Sequence, residues 1–142
     1  MVIEKDILSI TEGIIGHQVN TQGVMGAGLA LKIREKYPQV YEEYRKNTPS
    51  LGNIQVVTIN PSLFIVNMAA QRTWGRRGVH TNYQALESTL KHLTQLLLTL
   101  PLPIYLPYKL GSGLAGGDWS IVYKLIEIHC PSAIICKPPL SH

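Results

Sequence analysis

The sequence predicts an α/β protein in which helices cover both faces of a central mixed sheet. Three observations carry this prediction. Strand-like and helix-like segments alternate along the chain, a short turn joins two strands into a hairpin, and two glycine-rich segments each lie between a strand and a helix. A length of 142 residues suits one domain, so we expect a single domain over residues 1–142.

The predicted strands are short apolar runs rich in β-branched residues. They comprise Val2–Ile3 with Ile7–Leu8 as a first strand, then Ile14–Val19, Ile54–Ile59, Leu63–Val66, Ile104–Leu106 and Ala133–Cys136. The segment Asn60-Pro61-Ser62 between two of these runs has typical turn residues. It therefore predicts that Ile54–Ile59 and Leu63–Val66 pair as a hairpin.

The predicted helices follow a three-four spacing of apolar residues. The stripes are Leu29, Ile33 and Tyr37; Val40, Tyr41 and Tyr44; and Tyr83, Leu86, Leu90, Leu93, Leu97 and Leu100. Pro38 ends the first helix. The third and clearest helix begins at Thr81, because Thr81-Asn82-Tyr83-Gln84 has the pattern of a capping box. A last helix opens at Asp118.

Composition excludes several classes of protein. Hydrophobic residues make up 45% and charged residues 15%, which is typical of a folded globular chain. The longest apolar stretch is interrupted by Thr99, Pro101 and Pro103, and the N-terminus lacks the pattern of a signal peptide. We therefore expect a soluble, cytoplasmic monomer without a membrane partner.

The cysteines and the basic residues limit the ligands. Cys130 and Cys136 have no C-x-x-C spacing and no partner cluster for zinc, so we expect reduced core thiols, no metal and no cofactor. The net charge of +4 suits an anionic partner. Aromatic residues interleave poorly with the basic ones, which disfavours nucleic acid as the primary ligand.

The first glycine-rich segment, which we call the first loop (residues 20–28), is placed to bind an anion. It reads Asn20-Thr21-Gln22-Gly23-Val24-Met25-Gly26-Ala27-Gly28, between a buried strand and a helix N-terminus. Glycines let main-chain N–H groups approach an anion, and a helix start adds unpaired donors and partial positive charge. The segment lacks the Lys-Ser/Thr ending of a nucleoside triphosphate loop. A tight turn without a ligand is the alternative reading.

The second glycine-rich segment, the second loop (residues 107–118), repeats this order of strand, turn and helix. It runs from Pro107 through Gly111-Ser112-Gly113-Leu114 to Gly117 and Asp118. Ligands of open α/β sheets bind at the carboxyl ends of strands, so the two loops can form two walls of one crevice. Main-chain donors on both walls would suit a diphosphate. A flexible surface loop remains the alternative.

The separated motifs together resemble the macrodomain family. They are Val19-Asn20, Gly26-Ala27-Gly28-Leu29-Ala30, Lys36-Tyr37-Pro38, Pro107, Gly111-Ser112-Gly113-Leu114 and Asp118-Trp119. The resemblance is strongest to the branch that contains the terminal ADP-ribose glycohydrolases, the DNA ADP-ribosyl glycohydrolase antitoxins and the yeast ADP-ribose 1″-phosphate phosphatase. It covers nearly the whole chain and implies a three-layer macrodomain that binds ADP-ribose.

The resemblance implies a role for each matching position. Asp6 and the backbone of Ile7 fall where the family recognises the adenine amino group, and Asn20 falls beside the distal ribose. Met25, Gly26, Ala27 and Gly28 fall on the first phosphate wall, and Gly111, Ser112, Gly113 and Leu114 on the second. Structural alternatives stay open: Asp6 is also a plausible turn residue, and Asn20 a plausible strand-end cap.

Two departures from the family bear on catalysis. The segment aligned with the catalytic lysine of the terminal ADP-ribose glycohydrolase is Ala69-Ala70-Gln71, and that enzyme's aspartate position holds Ala115. A covalent mechanism through an amine is therefore in doubt. The Asp118-Trp119 pair matches the phosphatase-like relatives instead. Asp118 is thus a candidate general acid or base, and equally a candidate helix N-cap.

These observations lead to three functional hypotheses. The leading one is hydrolysis of a substituent on the distal ribose of ADP-ribose, with ADP-ribose 1″-phosphate favoured, water as the nucleophile, and Asn20 and Asp118 as candidate catalytic groups. His17, on the strand that leads to Asn20, is a further candidate acid or base, or else a core histidine. The alternatives are a non-catalytic ADP-ribose reader and an ADP-ribosyl glycohydrolase that acts on modified nucleic acid or protein.

Overall fold

The computed structural model describes residues 1–74, 78–113 and 115–140. Its strands are β1 (Val2–Glu4), β2 (Gly13–Asn20), β3 (Ile54–Asn60), β4 (Leu63–Gln71), β5 (Ile104–Pro107) and β6 (Ile134–Lys137). Its helices are α1 (Gly28–Lys36), α2 (Pro38–Lys46), α3 (Tyr83–Leu96) and α4 (Trp119–His129). Within those residue ranges, no helix combines the length and the hydrophobicity that crossing a membrane requires.

The strands form one mixed sheet in the order β1-β6-β5-β2-β4-β3. β3 pairs antiparallel with β4, which confirms the predicted hairpin, and the other neighbouring pairs are parallel. The central strand β2 lies between β5 and β4. The carboxyl ends of β2, β4 and β5 therefore meet at one edge of the sheet, where both glycine-rich loops begin or end.

Helices pack on both faces of the sheet, as the alternation of elements predicted. On one face, Leu86 and Leu90 of α3 and Val122 of α4 pack in one apolar cluster with Ile14 of β2. The next residue of β2 points to the opposite face and joins a second cluster with α1 and α2, which contains Ile15, Ile33, Val40 and Tyr44. The sequence prediction of an α/β sheet with helices on both faces is confirmed.

Pro38 separates the two helices that cover the second face. It ends α1 at Lys36 and also supplies the first residue of α2, because its fixed φ suits the first turn of a helix and its missing N–H is not needed there. α2 packs its buried residues, Val40 and Tyr44, against the sheet. This places Tyr44 beneath the first loop.

Two details of the sequence prediction are wrong. Ile7–Leu8 does not continue the first strand but lies in a 3-10 turn, Ile7–Ser9, because the Asp6 carboxylate accepts from the Leu8 N–H at 3.0 Å and favours the turn. The third helix is capped by Asn82 and not by Thr81. The Asn82 side chain accepts from the Ala85 N–H at 2.9 Å.

The end of the third helix also differs from the prediction. α3 stops at Leu96, and Leu97 and Leu100 pack against the core from the turns that follow. Pro101 prevents the helix from continuing through Leu100, since it has no N–H to donate and disfavours helical backbone at the residue before it. The apolar spacing continues past the end of the helix because Leu97 and Leu100 still pack against the core, although their backbone forms turns and no longer a helix.

Candidate functional site

A cleft of about 740 Å³ opens at the edge of the sheet where β2, β4 and β5 end. The first loop and the start of α1 form one wall, the second loop forms the other, and the last residues of β2 form the floor. A second hollow of about 620 Å³ lies between α3 and the α2–β3 connection and is more open. Seven of the residues that the sequence singled out line the larger cleft.

The first loop is organised around the Asn20 side chain. Its Oδ1 accepts from the N–H of Gln22 at 2.9 Å and of Val24 at 3.3 Å, and its Nδ2 donates to the carbonyl of Val24 at 2.8 Å. The Tyr44 hydroxyl lies 2.7 Å from the same Oδ1. Most hydrogen-bonding positions of the Asn20 amide are therefore occupied within the loop. One N–H of its Nδ2 remains available to a ligand.

The N-terminus of α1 carries unpaired donors into the cleft. The N-cap position is Ala27, whose side chain cannot accept a hydrogen bond, whereas the N-termini of α3 and α4 are capped by Asn82 and Asp118. Gly28, Leu29 and Ala30 of the first turn line the cleft. Main-chain N–H groups at such an uncapped start, together with the helix dipole, attract an anion.

The second loop is shaped by glycines at close contacts. Gly111 has a φ of +70°, and a Cβ there would lie 2.7 Å from the Gln18 Oε1, so the loop backbone rests directly on the cleft floor. Gly117 would place a Cβ 2.5 Å from the carbonyl oxygen of Gly111. Lys109 holds the positive φ of 61° that glycine usually adopts, and it lines the cleft.

His17 lies in the floor as a neutral imidazole of defined tautomer. The Gln55 Nε2 donates to the main-chain carbonyls of Glu43 and Asn47, so its Oε1 accepts from the Asn67 Nδ2 at 3.0 Å. The Asn67 Oδ1 must then accept the proton on the His17 Nε2, at 2.6 Å. The His17 Nδ1 is left unprotonated, buried and without a hydrogen-bond partner among the described residues.

Burial sets the charge of His17. The side chain is 1% exposed, and this desolvation lowers its pKa to about 4, although the hydrogen bond to Asn67 favours the charged form. At neutral pH His17 is therefore an uncharged acceptor through Nδ1. It can orient a donor, but it cannot supply a proton from Nδ1.

The neighbouring Gln18 is oriented from the other side of the sheet. The Gln71 Nε2 donates to the carbonyl of Thr73 at 2.7 Å, so the Gln71 Oε1 accepts from the Gln18 Nε2 at 2.8 Å. The same Nε2 also donates to the Thr81 hydroxyl at 2.9 Å, which in turn donates to the carbonyl of Gly111 at 2.6 Å. Gln18 thus ties β2 to the second loop.

The structure brings part of the predicted set together at the cleft. The residues that line it are His17, Asn20, Gly26, Ala27, Gly28, Gly111 and Gly113. The residues outside its lining are Asp6, Ile7, Met25, Ser112 and Asp118. Leu114 lies outside the described residues. The two loops therefore meet as the sequence predicted, but the two candidate carboxylates do not line the space between them.

Asp118 is exposed and serves as the N-cap of α4. Its Oδ1 accepts from the N–H of Ser120 at 2.9 Å and from the Ser120 hydroxyl at 2.7 Å. These two hydrogen bonds hold the pKa of Asp118 below its ordinary value. A carboxylate held ionised in a cap is a poor proton donor.

Asp6 and Ile7 do not line the cleft. Asp6 caps the 3-10 turn, as the alternative reading proposed, and Ile7 is buried in the apolar cluster on the α1 and α2 face. Met25 is likewise 1% exposed and packs in that cluster. None of these three side chains therefore reaches the cleft.

Sequence reasoning missed several residues of the cleft. Gln18, Gln71, Trp74, Tyr108 and Lys109 all line it. Tyr108 also contacts Trp119 edge to face, with ring centroids 5.3 Å apart. Strand-end position was the available signal for Gln18, Gln71 and Tyr108, because polar and aromatic side chains at the carboxyl ends of neighbouring strands meet at one edge. Nothing local in the sequence indicates that Trp74 reaches the cleft.

Solved structures with the same architecture identify the fold. A protein from Bacteroides thetaiotaomicron superposes with a TM-score of 0.87 at 24% identity, over 98% of this chain and 99% of that one. The macrodomain of Thermus aquaticus DarG superposes with a TM-score of 0.81 at 25% identity, over 98% of this chain and 97% of that one. Thermosipho africanus DarTG, solved in complex with ADP-ribose, superposes with a TM-score of 0.81 at 22% identity. The match covers 98% of this chain and 41% of that one.

No protein-family model and no curated protein sequence matches the chain. The six-stranded mixed sheet between two helical layers, with a cleft between two glycine-rich loops, is the macrodomain architecture. The chain therefore has the macrodomain fold and is similar to the macrodomains of DarG.

Proposed function

We propose that the cleft binds ADP-ribose with its diphosphate between the first and second loops. The observation that carries this proposal is the uncapped N-terminus of α1, with Gly26 to Gly28, which faces the second loop across the cleft. Unpaired main-chain donors there suit a diphosphate, which has acceptor oxygens and no donors. The cleft volume of about 740 Å³ lies within the usual range for a small-molecule site.

The charge pattern supports a ligand held mainly by the main chain. Lys109 is the cationic side chain in the described part of the cleft lining, and no carboxylate lies there to repel a phosphate. A triphosphate with a metal would call for carboxylate ligands and a cluster of cations. A diphosphate between neutral donors does not. The ADP-ribose in the Thermosipho africanus DarTG structure supports the same ligand for this cleft.

Titration calorimetry tests this proposal. ADP-ribose is expected to bind in the micromolar range, at roughly −7 to −9 kcal/mol, and AMP much more weakly because it lacks the second phosphate and the distal ribose. A chain that shows neither heat nor a thermal shift with millimolar ADP-ribose would exclude the proposal. ADP serves as the control for the contribution of the distal ribose.

Hydrolysis of a distal-ribose substituent, with ADP-ribose 1″-phosphate as the first substrate to test, is the second function that we propose. The observation that favours it is His17, whose unprotonated Nδ1 has no partner in the described structure although its residue lines the cleft. A water molecule between His17 and the substrate would be oriented by this acceptor. Because the pKa of His17 is lowered to about 4, orientation and not strong base catalysis is its expected contribution.

A substrate panel separates the two functions. The protein is incubated with ADP-ribose 1″-phosphate, O-acetyl-ADP-ribose, ADP-ribosylated DNA and an ADP-ribosylated protein, and the release of ADP-ribose is followed. Consumption of the first compound supports the phosphatase activity, and consumption of the DNA or protein supports an ADP-ribosyl hydrolase. Tight binding with no consumption of any of them leaves a non-catalytic reader.

A further inference from the structure

The first loop lacks the main-chain support that loops usually have. Residues 21–26 make no main-chain to main-chain hydrogen bond with any described part of the chain. Yet the loop ends in the wall that presents Gly26 and the start of α1 to the cleft. Its shape must therefore depend on side chains.

Tyr44 supplies one of these side chains from a different element. It lies on α2, is fully buried, and does not line the cleft. Its hydroxyl lies 2.6 Å from the main-chain oxygen of Asn20 and 2.7 Å from the Asn20 Oδ1, and its single proton serves one of the two at a time. Burial raises the pKa of Tyr44 to about 12, so the hydroxyl keeps this proton at every physiological pH.

The Tyr44 hydroxyl and the Asn20 amide form one hydrogen-bonded unit inside the loop. Asn20 accepts from Gln22 and Val24 and donates to Val24, and Tyr44 holds Asn20 in place from below. The helix that carries Tyr44 is anchored in turn, because Thr48 donates to the Tyr44 carbonyl at 2.8 Å and lies next to Gly23. Removing the hydroxyl would take away the proton that these two oxygens of Asn20 share, and the Asn20 Oδ1 would then be held only by the N–H groups of the loop itself.

We propose that Tyr44 is a positioning residue for ligand binding: its hydroxyl, acting through Asn20, holds the first loop in the shape that presents the donors of residues 26–28 to the cleft. The proposal rests on the proposed binding of ADP-ribose for its effect on affinity. Its effect on the loop itself does not depend on any ligand. Tyr44 touches neither the ligand space nor the second loop, so its role is indirect.

The test compares Tyr44→Phe with Tyr41→Phe. Phenylalanine keeps the buried ring of residue 44 and removes only the hydroxyl. Tyr41, on the same helix, is half-buried against Arg34, and its hydroxyl makes no hydrogen bond among the described residues. Amide hydrogen exchange of the ligand-free proteins is measured residue by residue, and ADP-ribose affinity is measured by calorimetry.

The expected result is local. In Tyr44→Phe, exchange of the Gln22 and Val24 amides, which donate to Asn20, accelerates at least about tenfold, the amides of β2 and β4 stay protected, and ADP-ribose affinity falls about tenfold or more. Tyr41→Phe should behave as the wild type in both measurements. Unchanged exchange of the Gln22 and Val24 amides in Tyr44→Phe overturns the proposal, and so does acceleration spread evenly over the sheet, which indicates a purely structural role.

The two measurements, amide exchange and ADP-ribose affinity, also distinguish a failure of the positioning role of Tyr44 from a failure of the proposed ADP-ribose binding. If the wild-type protein does not bind ADP-ribose, the proposed function fails, while the exchange data on the free loop still decide the role of Tyr44. If the wild type binds and a folded Tyr44→Phe variant with a loosened loop binds equally well, the positioning role is wrong and the proposed function stands.

Discussion

The two glycine-rich loops that form the cleft are stabilised in opposite ways. The first loop has no main-chain hydrogen bonds within residues 21–26 among the described contacts and depends on Asn20 and Tyr44. The second loop is held by its own main chain, through donations from Ser112 to Lys109 and from Gly117 to Gly111, both at 2.9 Å. Substitutions of side chains should therefore disturb the first loop, and substitutions of glycines should disturb the second.

The two polar residues of the cleft floor, His17 and Gln18, are also supported by different parts of the structure. His17 is oriented by a chain of amides that ends on the carbonyls of α2 and its C-terminus, the element that also supports the first loop. Gln18 is oriented through Thr81, which contacts the second loop. Two adjacent residues of β2 thus connect to different walls, because successive side chains of a strand point to opposite faces.

The largest expected effect is the loss of binding in Gly26→Glu. Gly26 is exposed and has ordinary space, with the Val24 Cγ1 3.6 Å from where a Cβ would lie, so the loop should tolerate the change. The new carboxylate would occupy the diphosphate position and repel it, which should weaken ADP-ribose binding at least about a hundredfold.

Gly26→Gln is the control for this experiment, since it has nearly the same size without the charge, and it should bind more tightly than Gly26→Glu. Calorimetry gives the affinities, and a melting curve checks that each variant is folded. Wild-type affinity in a folded Gly26→Glu variant would show that the first loop is only a turn.

The next effect concerns the pH dependence of stability through His17. The pKa of His17 is lowered to about 4 in the folded protein from an ordinary 6.5, so the unfolded chain binds more protons between these values. Stability should therefore be complete above about pH 6.5 and fall as the pH drops toward 4. The loss amounts to roughly 3 kcal/mol at about 1.4 kcal/mol per pH unit.

Urea unfolding at a series of pH values measures this dependence. The variant His17→Asn removes the titrating group, so its stability should fall less between pH 6.5 and 4, with carboxylates supplying the remainder. The nitrogen chemical shifts of the His17 ring provide a second readout and should show protonated Nε2 and unprotonated Nδ1. Equal slopes for the wild type and His17→Asn would contradict the buried, neutral state.

In the second loop, Gly117→Ala should destabilise the protein by about 1–3 kcal/mol, because the added methyl meets the Gly111 carbonyl oxygen at 2.5 Å and a main-chain atom cannot move away freely. Gly113→Ala is the matched control in the same loop. A Cβ at Gly113 has nothing within 4 Å, and stability should stay near that of the wild type. Thermal unfolding measures both variants, and equal melting temperatures would show that the second loop adapts as easily as the first.

The smallest expected effect is at Asp118, at the end of the second loop. Asp118→Asn should keep the melting temperature and the ADP-ribose affinity, because asparagine caps a helix about as well as aspartate. Asp118→Ala should lose about 1 kcal/mol, the usual cost of removing a cap. If the Asn variant is stable but fails to turn over ADP-ribose 1″-phosphate that the wild type consumes, the carboxylate takes part in the reaction despite lying outside the cleft lining.

Much of the fold could be predicted from the sequence because the signals are local. The hairpin over Ile54–Asn60 and Leu63–Gln71, the break at Pro38 and the cap at Asp118 each depend on residues a few positions apart. The shift of the α3 cap from Thr81 to Asn82 shows the limit of such signals. Thr81 has good capping chemistry, but its hydroxyl is engaged by Gln18 and Gly111 from distant parts of the chain.

The sequence by itself therefore determined the alternation of elements, the α/β class and the two glycine-rich segments between strands and helices. Only the tertiary structure decided which polar atoms face the cleft and which already have hydrogen-bond partners elsewhere in the fold. The tautomer of His17 requires Asn67 and Gln55 on two other strands, and the shape of the first loop requires Tyr44 on α2. Apolar periodicity and turn chemistry act between neighbours in sequence. Hydrogen-bond partners in a buried site depend on strand register and helix packing, which join residues that are far apart along the chain.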